Sequence, residues 1–119
     1  MSFAEVELQV IRWAEARQII PNSNPKAQSM KSIEECSELL EAATALKVLK
    51  DAGMAETPIY AHWQDKYRDA IGDVMVTLVI GAALADVDVV ECFKGAYEEI
   101  KDRKGHMSSS GLFIKEEAK

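Results

Sequence analysis

The chain has 119 residues, a net charge of −6 at neutral pH and 48% hydrophobic residues. This length and composition are typical of one ordinary globular domain with its own core, so a single domain is expected over residues 1–119. The acidic balance and the lack of a strongly basic block argue against a general nucleic-acid-binding protein.

The first predicted helix covers residues 3–19, with Ser2 as a suitable N-cap. Its apolar side chains recur at helical spacing, and we expect Trp13 among them to pack in the core. The first ten residues contain two glutamates and no basic segment, which is not typical of a signal peptide. A polar turn over residues 21–25 follows, in which Asn24 and Pro25 form a cap and first-turn pair for the next helix.

The second predicted helix covers residues 25–52 and ends near Gly53. Its apolar positions recur at steps of three and four and predict a buried stripe. The stripe consists of Ile33, Leu40, Ala43 and Leu46 or Lys47, broadened by Leu39, Ala42 and Leu49.

After a loop over residues 53–58, a third helix is predicted over 59–85. Its second half, residues 74–85, is apolar on nearly all sides but too short to span a bilayer, so we expect no membrane association. So much apolar surface in one small domain predicts that another subunit covers part of it, and hence a homodimer or homotetramer.

A fourth helix is predicted over residues 89–104, capped by Asp86 or Asp88 and ended by Gly105. Residues 106–119 are expected to form a flexible tail, with a serine-rich hinge followed by an apolar segment, 112–114, that docks on a partner chain. Four helices, two of them long and central, predict an all-α domain of the four-helix-bundle type. Cys36 and Cys92 lie in predicted helices without metal-ligand spacing, so we expect reduced packing residues in a cytoplasmic protein.

Two pairs of carboxylates stand out on the long helices. Glu35 and Glu38 are three residues apart, and Asp69 and Asp73 are four apart, so each pair projects from one side of its helix. A solvated helix face is the commoner explanation for one such pair. Two pairs beside apolar stripes favour a site for a divalent cation with oxygen ligands.

Other kinds of site lack a matching pattern. There is no glycine-rich phosphate loop and no Cys/His zinc constellation, and neither His62 nor His106 follows a glutamate by three residues, as a di-iron bundle requires. An all-carboxylate cluster suits Mg²⁺ or Mn²⁺ and, through the ion, phosphate oxygens.

The motifs occur in an order that resembles a known family. The second helix contains KSIEECSELLEA (31–42) and the third contains IGDV (71–74), with WAEAR (13–17), QSMK (28–31), IKDRKG (100–105) and GLFIKE (111–116) around them. Together these motifs resemble the compact phage-type members of the MazG-like nucleotide pyrophosphohydrolases, in the all-α NTP pyrophosphatase superfamily. The resemblance covers residues 11–116.

The resemblance implies Mg²⁺-dependent hydrolysis of a nucleoside triphosphate to the monophosphate and pyrophosphate. Its metal motif matches Glu35, Glu38 and Asp73, which are thereby the expected catalytic residues and metal ligands. The family has a further glutamate where this chain has Ala70, and Asp69 is the candidate that replaces it as the fourth ligand.

Several other side chains are candidates for substrate binding or proton transfer. Glu34, Glu38 or Glu41 would accept the proton of the attacking water. A base would stack on Trp63 or, as alternatives, on Tyr67 or Trp13, although core packing is the expected role of Trp13. The rest of the substrate would contact Gln28 or the cationic side chains of Lys31, Lys101, Arg103 and Lys104. The alternative hypothesis, motivated by Ala70, is a nucleotide-binding or purely structural helical homo-oligomer that does not hydrolyse its ligand.

Overall fold

The computed structural model describes residues 1–116 of the chain, so the last three residues of the predicted tail lie outside the described residues. The elements are α1 (Phe3–Ala16), α2 (Ile19–Asn22), α3 (Pro25–Asp51), α4 (Pro58–Leu84), α5 (Val89–Ile100), β1 (Gly105–Met107) and β2 (Phe113–Lys115). The predicted helical class is confirmed. The chain divides into two compact units, Met1–Val87 and Asp88–Lys119.

The helices begin where short polar side chains satisfy the free backbone N–H groups of the first turn. Ser2 accepts a hydrogen bond from the Glu5 amide, and Asn24 accepts one from the Ala27 amide at 2.8 Å. Thr57 and Asp88 cap α4 and α5 in the same way. Each such cap stabilises a helix by roughly 1 kcal/mol, which explains why these starting points were predictable from the sequence.

Helices α3 and α4 pair through one continuous seam. Among the buried and half-buried residues of α3, one series recurs at alternating steps of three and four: Gln28, Ser32, Glu35, Leu39, Ala42, Leu46 and Leu49. A series with the same spacing runs along α4, beside further buried residues such as Val79 and Ile80: Tyr60, Trp63, Tyr67, Ala70, Val74, Thr77, Gly81 and Leu84. This spacing is that of a coiled-coil seam. Ser32, near the start of α3, lies 2.5 Å from Thr77, near the end of α4, so the two helices run antiparallel.

The opposite face of α3 carries a second apolar stripe, which is exposed in the chain. We call it the outer stripe, and it consists of Met30, Ile33, Ser37, Leu40, Thr44 and Val48. Ile33 and Leu40 are each 68% exposed, so their predicted place in the buried stripe is wrong. The apolar residues of α3 lie on two roughly opposite faces of the helix, and Leu39, Ala42, Leu46 and Leu49 lie on the less exposed one.

Helix α1 packs against α4 through its buried Ala14 and its half-buried Val10 and Ile11. It ends at Ala16, three residues before the predicted boundary, because Gln18 adopts a left-handed backbone conformation with φ of 61°. A single helical turn, α2, then occupies part of the predicted polar turn.

The apolar second half of α4 lies largely inside the first unit. Thr77, Val79 and Ile80 are buried, whereas Leu78 is exposed. Cys36 and Cys92 are free and exposed, so the expectation that they pack in the chain's interior is wrong. Within residues 1–116, no single helix is long and apolar enough to cross a membrane, and α4 and α5 meet that criterion only when they are counted as a pair.

In the second unit, α5 ends at Ile100, four residues before the predicted boundary. Residues 101–104, all of them charged, form a turn and irregular backbone in place of the predicted last helical turn. Strands β1 and β2 then pair antiparallel with His106 opposite Ile114, and Gly111, with φ of 87°, lies in the connecting turn. The segment predicted as a flexible tail therefore contains a hairpin.

We expect Gly105→Ala to disrupt this hairpin, because an added Cβ would collide with the Ile114 carbonyl oxygen and come within 2.6 Å of the Phe113 ring. The measurement is amide hydrogen exchange at Ser108 and Glu116, which should lose protection because their N–H groups donate to the Leu112 and Lys104 carbonyl oxygens across the hairpin. The control is Gly95→Ala in α5, where nothing lies within 4 Å of an added Cβ. This change should stabilise the helix by roughly 0.5–1 kcal/mol. If these amides stay protected in Gly105→Ala, the close packing of Gly105 in the hairpin is contradicted.

Candidate metal centre

Three of the four predicted metal ligands lie together in the first unit. Glu35 and Glu38 come from adjacent turns of α3, and Asp73 comes from α4 across the seam. One carboxylate oxygen from each lies within 4.8 Å of the others. Oxygens bound to one Mg²⁺ at about 2.1 Å can be at most about 4.2 Å apart. Small side-chain rotations would therefore bring these three groups onto one ion.

Glu35 is the unusual member of this cluster, because it is only 9% exposed. Its Oε1 atom lies 3.5 Å from the Lys31 Nζ atom, but its Oε2 atom is buried and has no hydrogen-bond partner. An ionised carboxylate is costly to bury unless its charge and lone pairs are compensated. A hard divalent cation bound by three carboxylates would provide that compensation, so the residues present fit such an ion.

Lys31 supplies a positive charge beside the cluster. Its Nζ atom donates a hydrogen bond to the Glu34 Oε2 atom at 3.3 Å and lies close to Glu35. The hydrogen bond to Glu34, together with the negative charges of Glu34 and Glu35, raises the pKa of Lys31 above its ordinary value. The side chain is therefore a cation at neutral pH.

A hydrogen bond between helices holds the cluster in place. The Ser32 and Thr77 hydroxyl groups face each other across the seam, three residues before Glu35 and four residues after Asp73. Thr77 is buried and Ser32 half-buried, so little water competes for this contact. The pair fixes how α3 and α4 are aligned along their axes, and thereby the separation of the carboxylates. The sequence analysis missed both residues.

Two of the cavities that border the carboxylate cluster are each lined by two of its three residues. The first, which we call the Trp13 cavity, has a volume of about 680 Å³ and is lined by residues that include Trp13, Arg17, Gln28, Lys31, Glu35 and Asp73. The second, the Trp63 cavity, has a volume of about 300 Å³ and is lined by Glu38, Glu41, Trp63, Lys66, Asp69, Ala70 and Asp73. Asp73 lines both.

The predicted substrate residues are divided between these cavities and the second unit. Gln28 and Lys31 line the Trp13 cavity, and Trp63 lines the Trp63 cavity. Asp69 lies outside the group of three clustered carboxylates but lines the Trp63 cavity with two of them. Lys101 and Arg103 belong to the second unit, where Lys101 forms an ion pair with Glu98.

Trp13 is the functional candidate that the sequence placed wrongly. It is 44% exposed, and the Arg17 guanidinium lies 4.7 Å from the centre of its ring. The sequence signal that could have identified this pair is the four-residue spacing of Trp13 and Arg17, which puts them on one side of a helix.

No protein-family model matches the chain, and no curated protein or solved structure is significantly similar to it. What the site does must therefore be argued from its own residues.

We expect Glu35→Gln to raise the melting temperature in the absence of metal, because a neutral amide replaces a buried charge that two other carboxylates face. The same change should abolish stabilisation by Mg²⁺. In the wild-type chain, Mg²⁺ at 100 times its dissociation constant should contribute about 2.7 kcal/mol, or a rise of roughly 10 °C in a domain of this size.

Thermal melts in EDTA and in Mg²⁺ provide the measurement. Glu34→Gln is the matched control, since it removes the same charge from the neighbouring position, whose side chain is exposed and hydrogen-bonded to Lys31. The control should keep the Mg²⁺ response. If Mg²⁺ stabilises Glu35→Gln as much as the wild-type chain, Glu35 is not a metal ligand.

Proposed function

We propose that this chain is a Mg²⁺-dependent nucleoside triphosphate pyrophosphohydrolase of the MazG-like type, releasing a nucleoside monophosphate and pyrophosphate. The observation that supports this most directly is the buried, unpartnered Glu35 Oε2 atom within a cluster of three carboxylates. The cluster opens onto a 680 Å³ cavity, a size suited to a small-molecule ligand. Two free cysteines fit a cytoplasmic setting.

Glu35, Glu38 and Asp73 would hold the Mg²⁺ or Mn²⁺ ion. When bound there, the ion would neutralise phosphate charge and orient a water molecule for attack on phosphorus. The chain's own cations would assist at the phosphates. Lys31 is the best placed of these, because it lies beside Glu35 and on the wall of the Trp13 cavity. In a protein of net charge −6, such local positive charge is needed to attract an anionic substrate.

The proton of the attacking water would be accepted by a carboxylate outside the metal-binding set. Glu34 is less suitable, because its Oε2 atom already accepts a hydrogen bond from Lys31. Glu41 lies in the Trp63 cavity with Glu38 and Asp73, so we assign the role of general base to its carboxylate oxygens.

We further propose that the protein works as a homodimer or homotetramer. The supporting observation is how little apolar surface the described residues bury: only Ala14, Ala42, Ala70, Val79 and Ile80 form the core. The outer stripe of α3 has coiled-coil spacing and is apolar at Met30, Ile33, Leu40 and Val48. Such a stripe can pair with the same stripe of a second copy about a two-fold axis.

The assignment as an enzyme is tested by Mg²⁺-dependent pyrophosphate release from a panel of canonical and modified ribo- and deoxyribonucleoside triphosphates. We expect at least one to be hydrolysed between the α and β phosphates, with activity lost in EDTA. Binding without turnover across the whole panel would favour the alternative, a nucleotide-binding protein that does not hydrolyse its ligand.

We propose Asp69 as a fourth ligand in place of the acidic group missing at Ala70, since it lines the Trp63 cavity with Glu38 and Asp73. Asp69→Asn should then lower turnover by orders of magnitude while preserving the fold. Glu38→Gln should have a similar effect, and the double variant should be little worse than the worse single one, since both act through one assembly. The measurement is turnover as a function of Mg²⁺ concentration. Near-normal turnover and Mg²⁺ dependence in Asp69→Asn would show that the site works with three carboxylates and water.

For the oligomer, we expect sedimentation of the wild-type chain at micromolar concentration to give a dimer or tetramer. Leu40→Glu should shift it towards the monomer, because it places a charge in the outer stripe. Lys50→Gln changes the net charge by the same amount but lies on α3 outside the outer stripe, so it should not dissociate the oligomer. A stable wild-type monomer would contradict the proposal.

A further inference from the structure

Three cavities in the first unit border the carboxylate cluster, and their linings differ. Besides the Trp13 and Trp63 cavities, an apolar groove of about 870 Å³ runs between α1 and α4, lined by residues that include Phe3, Val6, Val10, Met75 and Asp73. A ligand that joins a metal-binding anion to a flat aromatic group needs two kinds of partner in one cavity. The anion needs the carboxylate cluster together with cationic side chains, and the aromatic group needs an aromatic wall. Which cavity offers both is decided by the side chains on its walls.

The Trp63 cavity has an aromatic wall but the wrong charge. Its lining includes four carboxylates, from Glu38, Glu41, Asp69 and Asp73, against the single cation of Lys66. A polyphosphate would be repelled from most of this lining. Its volume of about 300 Å³ is also at the lower end for a small-molecule site, so it suits cations and water better than a nucleoside.

The apolar groove has space, but its charged side chains are mostly acidic. Glu7, Asp69 and Asp73 line it against the guanidinium of Arg68, which already forms an ion pair with Asp65. Its aromatic side chain is Phe3, at the opposite end of α1 from Trp13. A charged nucleotide would gain little specific contact there.

The Trp13 cavity has both kinds of partner. Glu35 and Asp73 line it, with Lys31 beside Glu35, and its lining also includes the exposed indole of Trp13 with Arg17 above the ring. The charges of Lys31 and Arg17 balance those of the two carboxylates. Nucleobases of every kind stack on aromatic rings and on guanidinium planes, because each base has a π face.

We propose that the Trp13 cavity is the nucleoside subsite, with the base stacked against the Trp13–Arg17 pair and the triphosphate extending past Lys31 to the carboxylate cluster. This inference rests on the proposed function, since it takes the ligand to be a nucleoside triphosphate. It makes Trp13, and not Trp63, the aromatic residue that binds the base.

The chain has only two tryptophans, so fluorescence can test each one separately. Trp63→Phe leaves Trp13 as the sole fluorophore, and Trp13→Phe leaves Trp63. The probes are α,β-methylene analogues of the common ribo- and deoxyribonucleoside triphosphates with Mg²⁺, and inorganic tripolyphosphate as the ligand without a base. We expect a nucleotide analogue to quench Trp13 saturably, tripolyphosphate to quench it little, and Trp63 to respond to neither.

Kinetics provide a second measurement. Trp13→Ala should raise KM for the preferred nucleotide by roughly 5- to 150-fold, which corresponds to about 1–3 kcal/mol of base stacking. The inhibition constant of tripolyphosphate should not change. The matched control is Phe3→Ala, which removes an aromatic side chain of similar exposure from the apolar groove and should leave KM unchanged.

The outcomes separate the two proposals. The nucleoside subsite would be overturned if nucleotides are hydrolysed but do not change Trp13 fluorescence, and if KM is unchanged in Trp13→Ala. The enzyme assignment would then stay intact. Quenching of Trp13 without hydrolysis of any nucleotide would support the subsite and overturn the enzyme assignment. Quenching of Trp63 alone would place the base in the Trp63 cavity and overturn the subsite.

Discussion

The pairing of α3 with α4 is the constraint on which the site depends. The middle of the seam between them contains small and apolar side chains such as Ala42 and Ala70, but it also includes the carboxylate of Glu35 and the Ser32–Thr77 hydrogen bond. A buried carboxylate in such a seam destabilises the helix pair unless a positive charge compensates it. Lys31 compensates one oxygen and leaves the other without a partner. The same packing that forms the hairpin of helices thus creates the demand for a cation.

The two cavities beside this carboxylate differ in the charges that line them. Carboxylates predominate in the Trp63 cavity, whereas the Trp13 cavity combines carboxylates with Lys31 and Arg17. Asp73 lines both, so a cation held by the cluster would face an acidic space on one side and a charge-balanced space on the other. This asymmetry would let one small helical unit separate the proposed binding of a cation from that of an anionic ligand.

Helix α3 also connects the site to the surface of the unit. Its inner face carries Glu35 and Glu38 next to the seam, and its outer stripe is apolar and exposed on the opposite side. A helix with apolar residues on two faces is stable when both are covered. Assembly with a second copy would therefore hold rigid the helix that supplies two of the three clustered carboxylates.

The sequence alone determined the helical class and the caps at Ser2 and Asn24, and it offered Asp88 as one of two caps for the last helix, because capping is a local property. Helical spacing also marked two pairs of carboxylates, and only the structure shows that Glu35, Glu38 and Asp73 lie together while Asp69 lies outside their cluster. The tertiary structure alone decided which stripe of α3 is buried, because both stripes have acceptable spacing and only the partner helix selects one. It likewise decided that Trp13 is exposed to a cavity and that residues 105–115 form a hairpin. Both depend on contacts between residues distant in sequence or on backbone turns such as the one at Gln18, which no glycine marks.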